Sequence, residues 1–379
     1  MSDFRLDPAE IRALLDRARA AARAGARPSL DRVPLDVAAA ATLWYDRGVG
    51  TDELYARARA HRGARAAKLE TFSPLYLTNT CDAACRMCGM RADNAALVRE
   101  TADAARIDEQ LATLLARGMQ AVAVLTGEYR AARRGWAMRY VNAALRATER
   151  LGFRHVLVNV GSIEDDEFPV LLEGVSRHPD GTVVPKLTMC TFQETYDPEC
   201  YGRFMGRDPE NPRSDYARRL VNFDRARRAG LRVANPGVLL GLGRDVAFEM
   251  VAAALHVRHL LAHGMEVYLS TPRLRRVAGG GAGHGVGDDD FVRLIALLAL
   301  TVPAAKLVVT TREPHEIQQR LAPIVSVLSA GSSAVAPYTA DGARFPLEAS
   351  QFEVIDQRPF ETILREHLDR GIAIENYCI

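Results

Sequence analysis

Three cysteines stand within eight residues: Cys81, Cys85 and Cys88, in the run CDAACRMC, spaced C-x3-C-x2-C. Thiolates this close can hold three irons of a cubane [4Fe–4S] cluster. The fourth iron then has no protein ligand and is open for chemistry. A zinc knuckle is the alternative, but structural zinc takes four Cys or His ligands, often in two pairs, and no second pair or suitable His lies nearby. A redox C-x-x-C of Cys85 and Cys88 is a further alternative and leaves Cys81 without a task. Cys190, Cys200 and Cys378 are scattered and read as free thiols. Other groups suited to chemistry are Glu128 in LTGEY (125–129), Glu194 in QETY (193–196) and Arg219 in RRL (218–220). Alone, each carboxylate could be a helix cap and the arginine a solvated helix residue; together at strand ends they could line one site.

Elements to position these groups are visible from residue 73 onward. Eight short apolar runs read as strands: 74–80, 121–127, 155–161, 186–192, 232–241, 266–271, 306–312 and 325–329. Amphipathic stretches separate most of them. This predicts an α/β fold, a (β/α)8 TIM-type barrel, with a doubly wound open sheet as runner-up. The cysteine loop directly follows the first strand, so it belongs at the C-terminal mouth, where barrel active sites are built. The glycine-rich run 279–287 (GGGAGHGVG) reads as a rim linker, because it lacks the strand–glycines–helix context of a phosphate cradle. Residues 288–290 (DDD) then start a helix.

Before the barrel the chain reads as three helices. One starts at Asp7-Pro8-Ala9-Glu10 and stops near Gly25, one runs over 35–45, and one starts at Thr51. The expected organisation is an N-terminal helical cap over 1–70, the barrel over 71–345 and a tail over 346–379 packing on the barrel. The chain has 379 residues, 48% hydrophobic and 25% charged, ordinary for a globular protein. The net charge is +2, which gives no electrostatic case for nucleic acid or an anionic membrane. The longest apolar run, 294–302, is far below the ~18 residues of a membrane span, and the N-terminus lacks a signal-peptide core. A cytoplasmic protein with reduced thiols is expected.

The C-x3-C-x2-C loop after the first strand resembles the radical S-adenosylmethionine superfamily. The resemblance implies that S-adenosylmethionine chelates the open iron and is cleaved to a 5′-deoxyadenosyl radical, which takes hydrogen from a substrate. By position, Gly127 and Glu128 correspond to the segment that binds the methionine amino group. Glu194 matches a residue that helps hold the methionine moiety, Arg219 the arginine that meets its carboxylate, and Met87 a further cofactor contact. The runs PLYLTNTC (74–81), LTGE and QETY resemble the aromatic amino acid lyase branch, which includes tyrosine lyases and tryptophan lyases. Over residues 37 to 355 the runs CDAACRMCGMR, FRHVLVNVGS, RFMG, NPGVLLGL, VGDDD, TTREP and VAPY are most similar to the tryptophan lyases. Met87 stands where tyrosine lyases usually carry an aromatic. Departures are Arg276 in place of a proline after Arg273-Leu274-Arg275, Gly89 after the last cysteine, and the glycine loop. A lone Cys378 cannot hold the second cluster found in hydrogenase-maturation lyases.

The implied substrate site is Arg312, pairing with the substrate carboxylate through its forked donors. Ser329 adds a hydroxyl to the same carboxylate, and Tyr76 lines the pocket. The implied function is carbon–carbon cleavage at Cα of L-tryptophan, giving 3-methyl-2-indolic acid or a related product. Tyrosine cleavage to p-cresol is the alternative, and a non-catalytic Fe–S or zinc protein the alternative of another class. A flavodoxin- or ferredoxin-type reductant is implied, with no nucleic acid and no membrane.

Overall fold

Short runs of buried aliphatic residues make the wall of the molecule. In Ala121–Leu125 (AVAVL) all five residues are buried, as expected for a parallel strand covered on both faces. The computed structural model describes residues 2–181, 183–184, 186–280 and 283–378. Its strands are β1 (Lys68–Tyr76), β2 (Ala121–Leu125), β3 (His155–Asn159), β4 (Lys186–Glu194), β5 (Val233–Val238), β6 (Glu266–Ser270), β7 (Lys306–Thr310) and β8 (Val327–Ser329). All pair in parallel in sequence order, and β1 pairs with β8 to close the ring. The fold is a (β/α)8 TIM-type barrel, and the open-sheet alternative is excluded by that closing pair.

The first strand departs from expectation. Predicted over 74–80, it runs Lys68–Tyr76. Its early residues are charged or polar, which hid the strand from a search for apolar runs. Thr78 and Asn79 leave the sheet because they bond elsewhere: Thr78 Oγ1 donates to the Glu100 carbonyl at 3.0 Å and Asn79 N to the same oxygen at 3.1 Å. Strands β2, β3, β5 and β7 also end two or three residues early. Gly127, Glu128 and Arg312 therefore sit in the loops beyond the strands. For Arg312 the cause is local, since its N–H donates to Thr310 Oγ1 at 3.2 Å, which turns the chain.

The polar start of β1 has a purpose at the N-terminal end of the barrel. Glu70 pairs with Lys306 and accepts from Tyr268 Oη at 2.5 Å. Glu266 pairs with Lys306 at 2.5 Å and with Lys186 at 2.7 Å. Burial opposes ionisation of Glu266, but the two ammonium groups hold it at about 2. These residues come from β1, β4, β6 and β7, so they meet across the interior and plug that end with ions.

The N-terminal helices are Pro8–Arg23, Val37–Tyr45 and Thr51–Arg62. Asp7 caps the first by accepting from Ala9 N at 2.8 Å. The three pack on outer barrel helices Val246–Ala262 and Asp288–Thr301. Buried Arg293 fixes the end of the second and the turn into the third, donating to the carbonyls of Leu43, Asp46 and Val49. Helix Asp288–Thr301 starts at the acidic run as expected; residues 281 and 282 of the glycine run lie outside the described residues. After β8 the chain crosses the mouth, forms helix Phe360–Asp369 and ends in a strand, Ala373–Glu375, paired with the start of β1. No described helix is long and apolar enough to cross a membrane.

Candidate functional site

One cavity opens at the C-terminal mouth and runs down into the barrel. Cys81, Cys85, Cys88, Met87, Gly127, Glu128, Glu194, Arg219, Tyr76, Arg312 and Ser329 all line it. The structure thus brings together on one cavity every residue that the sequence reading assigned to the site.

The cysteine loop is held by backbone bonds from several elements. Asp82 N donates to the Glu128 carbonyl at 2.9 Å, Arg86 N to the Phe204 carbonyl at 2.9 Å, and Gly89 N to the Gln351 carbonyl at 2.9 Å. Two backbone N–H groups, of Ala83 and Glu128, point at Cys81 Sγ from 3.4 and 3.3 Å. Burial pushes the Cys81 thiol up to about 11 and raises Cys85 further. A bound cation reverses that preference by taking thiolates. Among the described residues no three Cys, His, Asp or Glu side chains converge on one point as a single metal ion needs. Cys81, Cys85 and Cys88 all line the cavity, and in a cluster each would bind its own iron. Cys190 also faces the cavity, but donates to Asn235 Oδ1 at 3.3 Å. Cys200 is buried and Cys378 exposed.

Gly127 has no room for a side chain: a Cβ there would lie 2.2 Å from the Thr80 carbonyl and 2.7 Å from Cys81 Cα. Gly127→Ala is expected to push the Thr80–Cys81 backbone aside and lower iron and sulfide incorporation on anaerobic reconstitution. Full incorporation would show that the loop tolerates the shift.

Beside the cysteines stand two carboxylate–guanidinium pairs. Glu128 Oε2 accepts from Arg219 Nη1 at 2.9 Å, and its Oε1 from Ser162 N at 3.0 Å. Burial works against the Glu128 charge, yet Arg219 and Arg213 outweigh it and hold the carboxyl below its usual range. Glu194 pairs with Arg213. It sits at φ +69° where the β4–β5 register shifts, a bulge that turns its side chain toward the mouth. Neither carboxylate caps a helix. Arg219 is 3% exposed, and its Nε donates to the Phe192 carbonyl at 2.6 Å. Arg213 is different: its Nε is buried without a hydrogen bond, with Glu128 Oε2 at 3.9 Å. Sequence reading passed over Arg213, which lies in an irregular loop with no strand or periodicity to flag it.

Also on the cavity, Arg312 lies two residues past the end of β7 and Ser329 ends the neighbouring β8, Ser329 being the register partner of Thr310. The Arg312 guanidinium stacks on the Phe352 ring, 3.3 Å from its centroid, and has no carboxylate partner among the described residues. Burial lowers its affinity for the proton, with Tyr76 acting the other way. The adjacent Glu313 is not available to it. That carboxylate is fully buried and pairs with Arg273 and Arg275. Ser329 is 6% exposed. Tyr76 Oη donates to Gln351 Oε1 at 2.5 Å. Gln351 and Phe352 follow the barrel in sequence and were also missed, since single residues in a coil segment carry no pattern.

The 2-iminoacetate synthases of Escherichia coli and Salmonella typhimurium are 29% and 27% identical to this chain over 306 and 297 residues. The matches cover 79% and 77% of this chain and 75% and 73% of those proteins. The crystal structure of HydG, a maturase of the FeFe-hydrogenase, superposes with a TM-score of 0.77 at 25% identity, over 99% of this chain and 77% of that one. Over most of its length the chain is similar to radical S-adenosylmethionine enzymes of the aromatic amino acid lyase branch. Methylornithine synthase (PylB) shares the fold, with a TM-score of 0.70 at 17% identity over 95% of this chain and 97% of that one. No family model matches the chain.

Radical S-adenosylmethionine enzymes use a [4Fe–4S] cluster and S-adenosylmethionine as cofactors. The residues fit both groups. Three thiols line the cavity, and the unmet Arg213 Nε offers a donor to an anionic group such as the methionine carboxylate.

Proposed function

We propose that this chain is a lyase that binds a free aromatic amino acid by its carboxylate at Arg312 and cleaves a carbon–carbon bond at Cα. The observation that carries the reading is the Arg312 guanidinium, half-buried on the cavity and stacked on an aromatic face with no carboxylate partner among the described residues. Burial has cost this cation part of its hydration, and a bidentate carboxylate would compensate it. Ser329 adds a hydroxyl donor from the neighbouring strand end, and Tyr76 presents its ring below the cluster loop. Cys81, Cys85 and Cys88 would hold the cluster. Glu128, Glu194, Arg213 and Arg219, with Gly127 and Met87, would seat S-adenosylmethionine. When bound, this pair supplies a carbon-centred radical able to take a hydrogen atom from the substrate. The chain's part is to orient the amine toward the cysteine wall and to keep water out. Phe72, Ala123, Leu157 and Val308 supply the apolar surface for that.

The relatives support tyrosine as the amino acid. A specific feature supports tryptophan as the second reading: the inward polar groups of β5 and β6 are already engaged. The Asn235 amide donates to the Tyr268 carbonyl at 2.9 Å and to Ser270 Oγ at 3.0 Å, and its oxygen receives Cys190 Sγ. A phenol needs a free partner for its hydroxyl, whereas an indole tolerates an apolar slot. Anaerobic incubation with each amino acid separates the two. Tyrosine as substrate gives p-cresol; tryptophan gives an indole product such as 3-methyl-2-indolic acid. Turnover of neither, with S-adenosylmethionine still cleaved, would overturn the substrate class. A flavodoxin- or ferredoxin-type reductant and a cytoplasmic site of action belong to the same proposal; six free cysteines accord with the latter.

A further inference from the structure

Gln351 lies beyond the eighth strand, outside the barrel proper, yet its side chain enters the cavity. Its amide has two engaged ends. Oε1 accepts from Tyr76 Oη at 2.5 Å, and Nε2 donates to Cys88 Sγ at 3.5 Å. Electrostatics selects this orientation, because the flipped amide would set its oxygen against the sulfur of a thiolate. The backbone around it is fixed at both sides of the mouth. Its carbonyl accepts from Gly89 N in the cysteine loop, and its N–H donates to the Ser333 carbonyl at 3.2 Å. Further along, Asp356 N donates to the Thr311 carbonyl at 3.0 Å, next to Arg312. Gly89 is part of the fit, since a Cβ there would lie 2.8 Å from the Gln351 carbonyl. Phe352 meanwhile underlies the Arg312 guanidinium. Two consecutive residues thus touch a cluster cysteine, a pocket tyrosine and the arginine assigned to the substrate.

We propose that Gln351 is a positioning residue that bridges the cluster to the substrate pocket, donating to the Cys88 sulfur while holding the Tyr76 phenol in place. This rests on the amino acid lyase reading for the pocket end only; the cluster end stands on the cysteine loop alone. A hydrogen bond to a ligating sulfur stabilises the reduced, more negative cluster, so its loss makes the reduction potential more negative. Loss of the bond to Tyr76 frees the phenol to rotate and loosens the alignment of substrate with radical.

The test uses the reconstituted full chain with three variants, each compared at equal iron content. Gln351→Leu removes both bonds. Its cluster midpoint potential is expected to fall, and product formed per S-adenosylmethionine cleaved to drop roughly tenfold, the value of one buried hydrogen bond. Gln351→Glu keeps an acceptor for Tyr76 and loses the donor to Cys88, so the potential falls while coupling is largely restored. It also serves if Gln351→Leu fails to fold. Tyr76→Phe should lower coupling with the potential unchanged. Wild-type potential and coupling in both Gln351 variants would overturn the proposal. A shifted potential in an enzyme that turns over no aromatic amino acid would overturn the substrate reading and leave the bridge to Cys88 standing.

Discussion

Replacing any one of Cys81, Cys85 or Cys88 by Ala is expected to abolish S-adenosylmethionine cleavage and to leave iron well below four per chain after reconstitution. A cubane held by two thiolates is labile, and no other donor stands ready. Among the described residues, Cys190 is the one remaining cysteine on the cavity, and it is tied to Asn235 on β5. Cys200 is packed against Arg203, and Cys378 is at the far end of the barrel beside Gly118. Alanine at Cys200 or Cys378 should therefore leave cleavage largely intact. Equal loss from Cys378→Ala would mean a different ligand set. A single zinc bound by the wild-type chain, with no sulfide, would remove the enzyme reading altogether.

The second large effect is expected at Arg312. Arg312→Lys keeps a charge and loses the planar fork, along with the stack on Phe352. Losing a charge-assisted pair in a shielded pocket costs about 2–5 kcal/mol, or roughly 30- to 5,000-fold in kcat/KM. The pairs Glu128–Arg219 and Glu194–Arg213, proposed to seat S-adenosylmethionine, lie on other elements and are untouched. Cleavage of S-adenosylmethionine should therefore continue while product falls, so that the two become uncoupled. Parallel measurement of 5′-deoxyadenosine and product checks this. Wild-type turnover in both Arg312→Lys and Arg312→Ala would show that the carboxylate binds elsewhere.

Legibility in the sequence followed the physics of each element. Strands buried on both faces announce themselves as aliphatic runs, and seven of the eight were placed within three residues of their observed starts. β1 was displaced because its inward residues at the plug are ionic, a pattern that reads as loop. The place of the cysteine loop on the cavity was legible because a loop directly after a barrel strand lies at the mouth. Glu128, Glu194 and Arg312 could be placed on the same cavity because they stand at or just past strand ends. Arg213, Gln351 and Phe352 were not. They reach the cavity from coil segments fixed by scattered backbone bonds, and such placement is decided by tertiary packing. The pairing of Glu313 with Arg273 and Arg275, which leaves Arg312 free for a ligand, was likewise hidden.

The ionic plug at the N-terminal end bears on traffic through the enzyme. Glu70, Glu266, Lys186 and Lys306 pair across the interior and place a layer of charge at the end of the chamber away from the mouth. Entry and exit would then both use the mouth, past the cysteine wall. An amino acid seated below that wall would then be trapped once S-adenosylmethionine covers it. Arrival would be ordered, amino acid first, and departure would run in reverse.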